Sequence, residues 1–186
     1  DTLRFDYTGS SEQVDAAVNS TISATVAGSA VTLYSFLCQG DIDWNDGLKR
    51  CIEVFAPEGT VVNATYPAPV SISTVGFRWL VTVAATQALA RMFDSSDDHR
   101  DRACPSWNSS SNCNNIFAML PDGRRTGSLL SDHRGSGAAG RSFGDGFHHA
   151  GTVTSYASSL GNIEGTEWKL PVLYLYRRRL KDSAGA

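Results

Sequence analysis

The chain has 186 residues, 41% of them hydrophobic, and a formal net charge of −3. This weakly acidic balance excludes the strongly basic surface of a nucleic-acid-binding domain. No run approaches the roughly 20 apolar residues of a membrane-spanning helix, and the N-terminal residues lack the pattern of a signal peptide. We therefore expect a cytoplasmic chain with a hydrophobic core and with neither a nucleic-acid nor a membrane partner.

The ends of the sequence bear on whether the chain is part of a larger protein, and the cysteines bear on metal binding and disulfides. The sequence begins without methionine on a strand-like pattern and stops soon after another, so we expect a fragment, a processed piece or a split subunit. The absence of a Cys-x-x-Cys pair argues against a structural zinc site. The four cysteines allow two disulfides in an oxidising compartment, but Cys38 and Cys51 are also typical of buried free thiols.

The first part of the chain predicts a strand followed by a long helix. Residues 3–7 alternate apolar and polar side chains and stop at a Thr-Gly turn. From Asn19 onward the period changes to three or four residues, which predicts a helix to Leu37 that is capped by Asn19 or Ser20. The repeating apolar positions of this helix are Ile22, Val26, Ala30, Leu33 and Leu37.

Residues 44–69 predict a hairpin between two helices. Asn45-Asp46-Gly47 has the composition of a turn, because Asn and Asp bond to nearby backbone and Gly tolerates positive φ. A Pro-Glu-Gly reversal then separates the strand-like runs 51–55 and 60–63.

A second helix is predicted over residues 74–93. Its polar stripe consists of Arg78, Thr82 and Thr86, each four residues apart. The other face is apolar, and we expect the helix to be buried on most of its surface. That apolar face is formed by Phe77, Leu80, Ala84, Ala88 and Met92.

The second half of the chain is richer in loops. Residues 94–112 are polar and charged, residues 116–120 predict a short strand before a Pro-Asp-Gly turn, and residues 135–151 are rich in glycine. Residues 171–180 predict a last strand. The pattern as a whole predicts a mixed α+β fold: a β-sheet with strand hairpins, covered by two long helices, with long Gly-rich loops. We expect residues 1–186 to form a single partial domain of a larger subunit.

Three stretches could carry chemistry, each with a plainer alternative. Residues 135–140 resemble a phosphate-binding loop, but no helical run opens after them, which favours a flexible loop or close backbone packing. His148 and His149, with nearby acidic residues, could bind a metal, although adjacent residues of an extended segment point to opposite sides. Residues 177–179 are three arginines that could bind an anion or form a solvated strand edge.

Four stretches, in this order, resemble the motifs of one protein family. Residues 5–10 with Asn19 resemble its DFTGTS…N strand. Residues 42–47 resemble its IPLNEG turn, with Asp and Trp replacing the usual Pro and Leu. Residues 57–69 resemble PEGSLLNPxxPAAV, and residues 135–183 resemble GGxGA…DG…E…P…DSGG. By these motifs the chain resembles the hydantoinase B/5-oxoprolinase family, which includes the alpha subunits of acetone and acetophenone carboxylases.

The resemblance covers the central-to-C-terminal part of the family's subunit. It implies a hydantoinase A-type partner subunit that binds ATP and activates a carbonyl by phosphorylation. It also implies a divalent metal of the zinc, manganese or iron class, held by His- and Asp-bearing motifs upstream of this region. His148-His149 is followed by Ala and Gly, not by the family's His-His-x-Asp pattern, so no metal ligand is assigned here. We expect ATP and metal to bind outside this chain.

Three functions are consistent with the resemblance. The first is a part of an ATP-dependent hydantoinase or oxoprolinase that opens cyclic amides, the second a part of an ATP-dependent ketone carboxylase, and the third a non-catalytic structural chain of such a complex. No catalytic residue is assigned. The predicted contacts with a ligand or another subunit are Asn45, Asp46, Gly47, Gly135, Ser136, Gly137 and Ala138.

Overall fold

The computed structural model of the chain describes residues 2–38, 42–43, 45–103, 114–130, 140, 144–146, 161–178 and 181. The chain divides into two compact units, one within residues 1–107 and 141–145 and the other within residues 108–140 and 146–186. The predicted mixed α+β content is confirmed, with small sheets and several helices. None of the described helices is long and apolar enough to cross a membrane.

The regular elements follow the order of the predicted ones. The first unit contains β1 (Leu3–Asp6), α1 (Ile22–Leu37), a 3₁₀ helix (Asp46–Cys51), β2 (Ile52–Phe55), a π-helical turn (Ser73–Phe77), α2 (Arg78–Asp94) and a second 3₁₀ helix (Arg100–Arg102). The second unit contains β3 (Asn114–Met119), β4 (Arg125–Leu130) and α3 (Ile163–Lys169). Both long helices predicted from periodicity are therefore present.

The core of the first unit lies between a two-stranded sheet and the two long helices. β1 and β2 pair in parallel, with Leu3 opposite Ile52 and Asp6 opposite Phe55. A parallel pair needs a long crossover, and here α1 lies within it. Alternate residues of both strands face the helices, where their apolar side chains leave water. The buried cluster consists of Phe5, Leu33, Phe36, Ala85, Leu89 and Phe93.

The two helices contact each other through small and hydroxyl-bearing residues. At the crossing, a β-carbon on Gly28 would lie 3.0 Å from Val81 Cγ1 and 3.1 Å from the Arg78 carbonyl oxygen. The hydroxyl of Thr32 donates to the Gly28 carbonyl at 3.0 Å, and the hydroxyl of Thr82 donates to the Arg78 carbonyl at 2.9 Å. These buried hydroxyls are satisfied by backbone carbonyls, so the helices approach closely without unpaired polar groups.

The N-cap of α1 lies one residue after Ser20 and two after Asn19, the two predicted caps. This N-cap is Thr21, whose hydroxyl accepts a hydrogen bond from the Ala24 amide at 3.3 Å. Asn19 and Ser20, the predicted caps, are fully buried instead. Asn19 is used by the preceding loop, because its side chain bonds to Val14, Ala16 and Pro69.

Residues 60–63 do not form the second strand of a hairpin with β2. Thr60 bridges Glu12 and Asn63, and the Val61 amide donates to the Ser11 carbonyl at 2.9 Å. The side chains of Thr60 and Asn63 donate to the carbonyls of residues 57 and 56, so the chain curls locally. Polar side chains that bond to nearby backbone compete with a regular strand. The predicted reversal is present, with Gly59 at φ 77°.

A hairpin does occur in the second unit. β3 and β4 pair antiparallel from Asn114 opposite Leu130 to Met119 opposite Arg125, and the turn places Gly123 at φ 84°. A non-glycine residue would be strained at that φ. The predicted strand at residues 116–120 and its turn are thus confirmed.

The predicted last strand is not formed over the described residues 171–178. There the Tyr174 amide donates to the Glu167 carboxylate at 2.6 Å, and the Val172 amide donates to the Leu170 carbonyl at 2.8 Å. These two amides are therefore occupied by α3 and its C-terminal cap rather than by a neighbouring strand.

Two predictions about burial were wrong. The apolar face of α2 that contains Leu80 and Met92 is exposed, whereas Thr82 and Thr86 of the polar stripe are buried against α1. The Thr82 hydroxyl donates to the carbonyls of Gly28 in α1 and of Arg78 in its own helix, which makes this residue compatible with the interior. Cys38 is buried as predicted, but the thiol of Cys51 is exposed.

Candidate functional site

The segment Asn45-Asp46-Gly47 forms a capped turn at the start of the first 3₁₀ helix. The Asn45 side-chain oxygen accepts from the Gly47 amide at 2.9 Å, and its amide group donates to the Asp43 carbonyl at 2.9 Å. A β-carbon on Gly47 would lie only 2.7 Å from that Asn45 oxygen. The turn therefore requires both the amide side chain of Asn45 and the small size of Gly47.

Asp46 is held in its ionised form at the surface of this turn. Its carboxylate lies 2.7 Å from the Lys49 ammonium one turn later, and its side chain is 88% exposed. The hydrogen bond and charge of Lys49 lower the pKa of Asp46 below its ordinary value. Chemically, the turn presents a fixed anion and cation to solvent, an arrangement suited to contact with another chain or a polar ligand.

The other half of the predicted site falls outside the described residues. This applies to Gly135, Ser136, Gly137 and Ala138, and equally to His133, His148, His149 and Arg179. Over the described residues, no group of three or more His, Cys, Asp or Glu side chains could hold a metal ion.

The C-terminal arginines contact aromatic rings in the described segment. Arg177 lies 5.1 Å from the Tyr174 ring centroid and donates to the Gly161 carbonyl at 2.7 Å. Arg178 lies 5.1 Å from the ring of Tyr176. Such stacking stabilises a guanidinium, and it makes Arg177 part of the local packing of the second unit.

The stretch that resembles the family's first motif is organised by Asp6, Tyr7 and Asn19. The Asp6 carboxylate accepts from the Thr8 amide at 2.9 Å and from the Thr8 hydroxyl at 2.6 Å, which lowers the pKa of Asp6. The Tyr7 hydroxyl lies 2.8 Å from the Ser29 hydroxyl, and burial raises the pKa of Tyr7. The contact between Tyr7 and Ser29 joins the end of β1 to α1, and the contacts of Asp6 hold the turn that follows the strand.

Asn19 closes the loop that follows β1. Its side-chain amide donates to the carbonyls of Val14, Ala16 and Pro69 at 2.8 to 2.9 Å, and its oxygen accepts from the Val14 amide at 2.9 Å. Sequence reasoning assigned Asn19 to a helix cap and missed this role. The signal that could have identified this role was the resemblance, since the DFTGTS…N motif includes Asn19 after the strand.

Two solved structures have a fold similar to that of this chain. The fold is similar to that of the ATP-dependent caprolactamase from Pseudomonas jessenii, with a TM-score of 0.74 and 27% identity over 90% of this chain and 28% of that chain. It is also similar to nucleotide-free acetone carboxylase, with a TM-score of 0.69 and 22% identity over 88% of this chain and 21% of that chain. The second likeness concerns the fold alone.

The chain belongs to the hydantoinase B/oxoprolinase family, whose model matches residues 1–186. An uncharacterized protein of Methanocaldococcus jannaschii is 37% identical over 73 residues, which are 39% of this chain and 13% of that protein. The chain thus spans less than a third of the length of the relatives and solved structures that it matches.

Proposed function

We propose that this chain is a fragment or split subunit of an ATP-dependent hydantoinase- or oxoprolinase-type amidohydrolase that opens cyclic amides. The observation that carries this proposal is the 27% identity to a caprolactamase over 90% of the chain. Caprolactam is a cyclic amide, whereas the likeness to acetone carboxylase lies at 22% identity. A ketone carboxylase is the second candidate, and a purely structural chain of such a complex is the third.

The chemistry requires activation, because an amide carbonyl is a poor electrophile. ATP on a hydantoinase A-type partner would supply phosphoryl activation of the lactam oxygen, and a divalent metal would supply an activated water. The described residues do not fit a metal centre, since no three ligand-type side chains converge among them. We assign ATP and metal to other parts of the complex because the family resemblance implies an ATP-binding partner subunit and metal-binding motifs upstream of this region. The described residues then form the turn at Asn45 and the packed pair of helices α1 and α2.

The substrate class is tested on the complex purified from its source. With a saturating lactam such as caprolactam or hydantoin, we expect ATP hydrolysis to rise above the substrate-free rate. An acyclic amide is the matched control, because it carries the same carbonyl without the ring. Stimulation by acetone with bicarbonate, and none by the lactams, would establish the carboxylase instead.

The exposed turn at Asn45 is tested by the double substitution Asn45→Ala, Asp46→Ala. Both side chains are exposed, so the loss of the cap lowers the free energy of unfolding by only about 1 kcal/mol and the chain stays folded. We expect loss of assembly with the partner chains or of substrate-stimulated ATP hydrolysis, because the turn then presents neither its fixed carboxylate nor its ordered backbone.

The matched control is Asp122→Ala, which removes a comparable surface carboxylate from the β3–β4 turn. Asp122 accepts from the Arg124 amide at 3.0 Å and pairs with the Arg124 guanidinium at 2.7 Å. If the double variant assembles and hydrolyses ATP as the control does, Asn45 and Asp46 have no role beyond local structure.

A further inference from the structure

The outward side of α2 carries an apolar ridge. We use "outer ridge" for Leu80, Ala84, Ala88 and Met92, which are spaced four residues apart and therefore lie along one line of the helix. All four are exposed, Leu80 by 48% and Met92 by 53%. A row of two large apolar residues with two alanines between them has the shape that another helix fits, since ridges at this spacing pack into the grooves of a neighbouring helix.

The helix α1, which packs against α2, also has the composition of a buried helix. α1 contains no Asp, Glu, Lys or Arg along its 16 residues, Ile22–Leu37. A helix that lacks a charged face is usually buried on all sides. Yet its terminal residues Ile22 and Leu37 are 39% and 43% exposed. The helix pair therefore carries more apolar surface than the described part of the chain covers.

An exposed positive charge, the guanidinium of Arg91, lies beside the outer ridge and favours an acidic partner surface. Arg91 lies on the same side of α2, one residue before Met92, and is exposed. Among the described residues, no carboxylate forms an ion pair with its guanidinium. A partner helix that buries the ridge would place Arg91 at the rim of the contact, where an acidic residue complements it.

The related solved structures contain much more chain than this one, and that additional chain is a source for a covering helix. The chain corresponds to 28% of the caprolactamase chain and 21% of the acetone carboxylase chain, at TM-scores of 0.74 and 0.69. In both, the same fold is embedded in a polypeptide several times longer. We propose that the outer ridge is covered by an α-helix from the remainder of the hydantoinase B-type subunit, which packs its groove over Ala84 and Ala88 and directs a carboxylate at Arg91.

This proposal rests on the part of the proposed function that makes the chain one piece of a larger subunit, and it does not depend on the substrate. A failure of the lactam assay would leave it standing. Conversely, an exposed ridge in the assembled enzyme would overturn it while leaving the substrate class unaffected.

The first test is hydroxyl-radical footprinting of the unmodified protein. Met92 and Leu80 report on the ridge, and Tyr66, which is 98% exposed, reports on a site outside it. We expect rapid modification of Met92 and Leu80 in the isolated chain and severalfold slower modification in the assembly purified from its source. Equal rates in both states would overturn the proposal, as would a source preparation that contains only the free chain.

The second test adds a charge to the ridge. Ala88→Glu would place a long charged side chain where the groove of the partner helix packs, and its carboxylate, three residues before Arg91, would compete with the partner's carboxylate for that guanidinium. It should weaken association with the rest of the subunit by about 100-fold. Ala16→Glu makes the same chemical change at an exposed loop position outside the ridge and should leave association unchanged. Both variants should match the unmodified chain in thermal unfolding, because both positions are exposed.

A second copy of the chain is the competing occupant. If the isolated chain is dimeric in sedimentation and Ala88→Glu makes it monomeric, the ridge is a self-association surface and the proposal is wrong. If the isolated chain is monomeric and Ala88→Glu prevents only its association with the larger assembly, the proposal is supported.

Discussion

Replacing Gly28 by valine should lower the free energy of unfolding by about 3 kcal/mol. A β-carbon at this position would already lie 3.0 Å from Val81 Cγ1, 3.1 Å from the Arg78 carbonyl oxygen and 3.2 Å from Thr82 Oγ1. Two further methyl groups have no space, so α1 and α2 must move apart. That movement lengthens the hydrogen bond from the Thr82 hydroxyl to the Gly28 carbonyl, which is 3.3 Å in the native chain.

The measurement is urea unfolding followed by circular dichroism, with Ala27→Val as the control. Ala27 precedes Gly28 on α1 but is exposed, so its replacement costs only the lower helix propensity of valine, about 0.5 kcal/mol. Equal losses in the two variants would show that the close approach at Gly28 does not limit the packing of the helices.

Replacing Asn19 by alanine should lower the free energy of unfolding by about 3 kcal/mol or more. The side chain is fully buried and satisfies the Val14 amide and three carbonyl oxygens. Alanine leaves these partly buried backbone groups without their side-chain partner, and each lost hydrogen bond costs about 1 kcal/mol. The Pro69 carbonyl is 50 residues away in sequence, so the loop after β1 also loses its tie to the segment before α2.

Asn45→Ala is the matched control, because Asn45 also bonds to backbone on both sides but is exposed. We expect it to cost about 1 kcal/mol, the usual value for a cap. Asn19→Asp provides a further check, since it keeps the size and the acceptor but loses the donors. If aspartate at neutral pH restores native stability, the hydrogen bonds to the three carbonyls are not what stabilises this loop.

Local rules explain which elements the sequence predicts well. The two long helices show a clear apolar period, and the turns at Gly9, Gly59 and Gly123 adopt the positive φ that only glycine takes easily. Periodicity therefore locates elements, and turn chemistry locates their ends.

The predictions that were wrong concern which residues bond or pack together, not which helices and strands are present. Residues 60–63 have the composition of a strand, yet they bond to residues 11 and 20, which no local pattern identifies. The buried face of α2 was misjudged for a related reason. Thr82 and Thr86 have the spacing of a surface stripe, but both are buried, and the Thr82 hydroxyl finds its partners in backbone carbonyls of the two helices.

Part of the candidate site could be predicted from the sequence. The turn at Asn45 follows from its composition, and the structure describes its hydrogen bonds. Its role in binding or assembly stays a prediction. The hydrogen bonds of the Asn19 side chain could not be derived from local rules, because the farthest partner, Pro69, is remote in the chain.

The hydroxyl-based contact between α1 and α2 has a consequence for the response to acid. The hydrogen bonds between these helices join hydroxyls to carbonyls, and neither group titrates. By contrast, the surface turns at Asp6, Asp46 and Asp122 rely on carboxylates whose pKa is lowered by their hydrogen-bond donors. The stability that such carboxylates contribute is present above their unfolded pKa and is lost as the pH falls through the folded value. Acidification therefore loosens the turns at the surface before it weakens the contact between the helices.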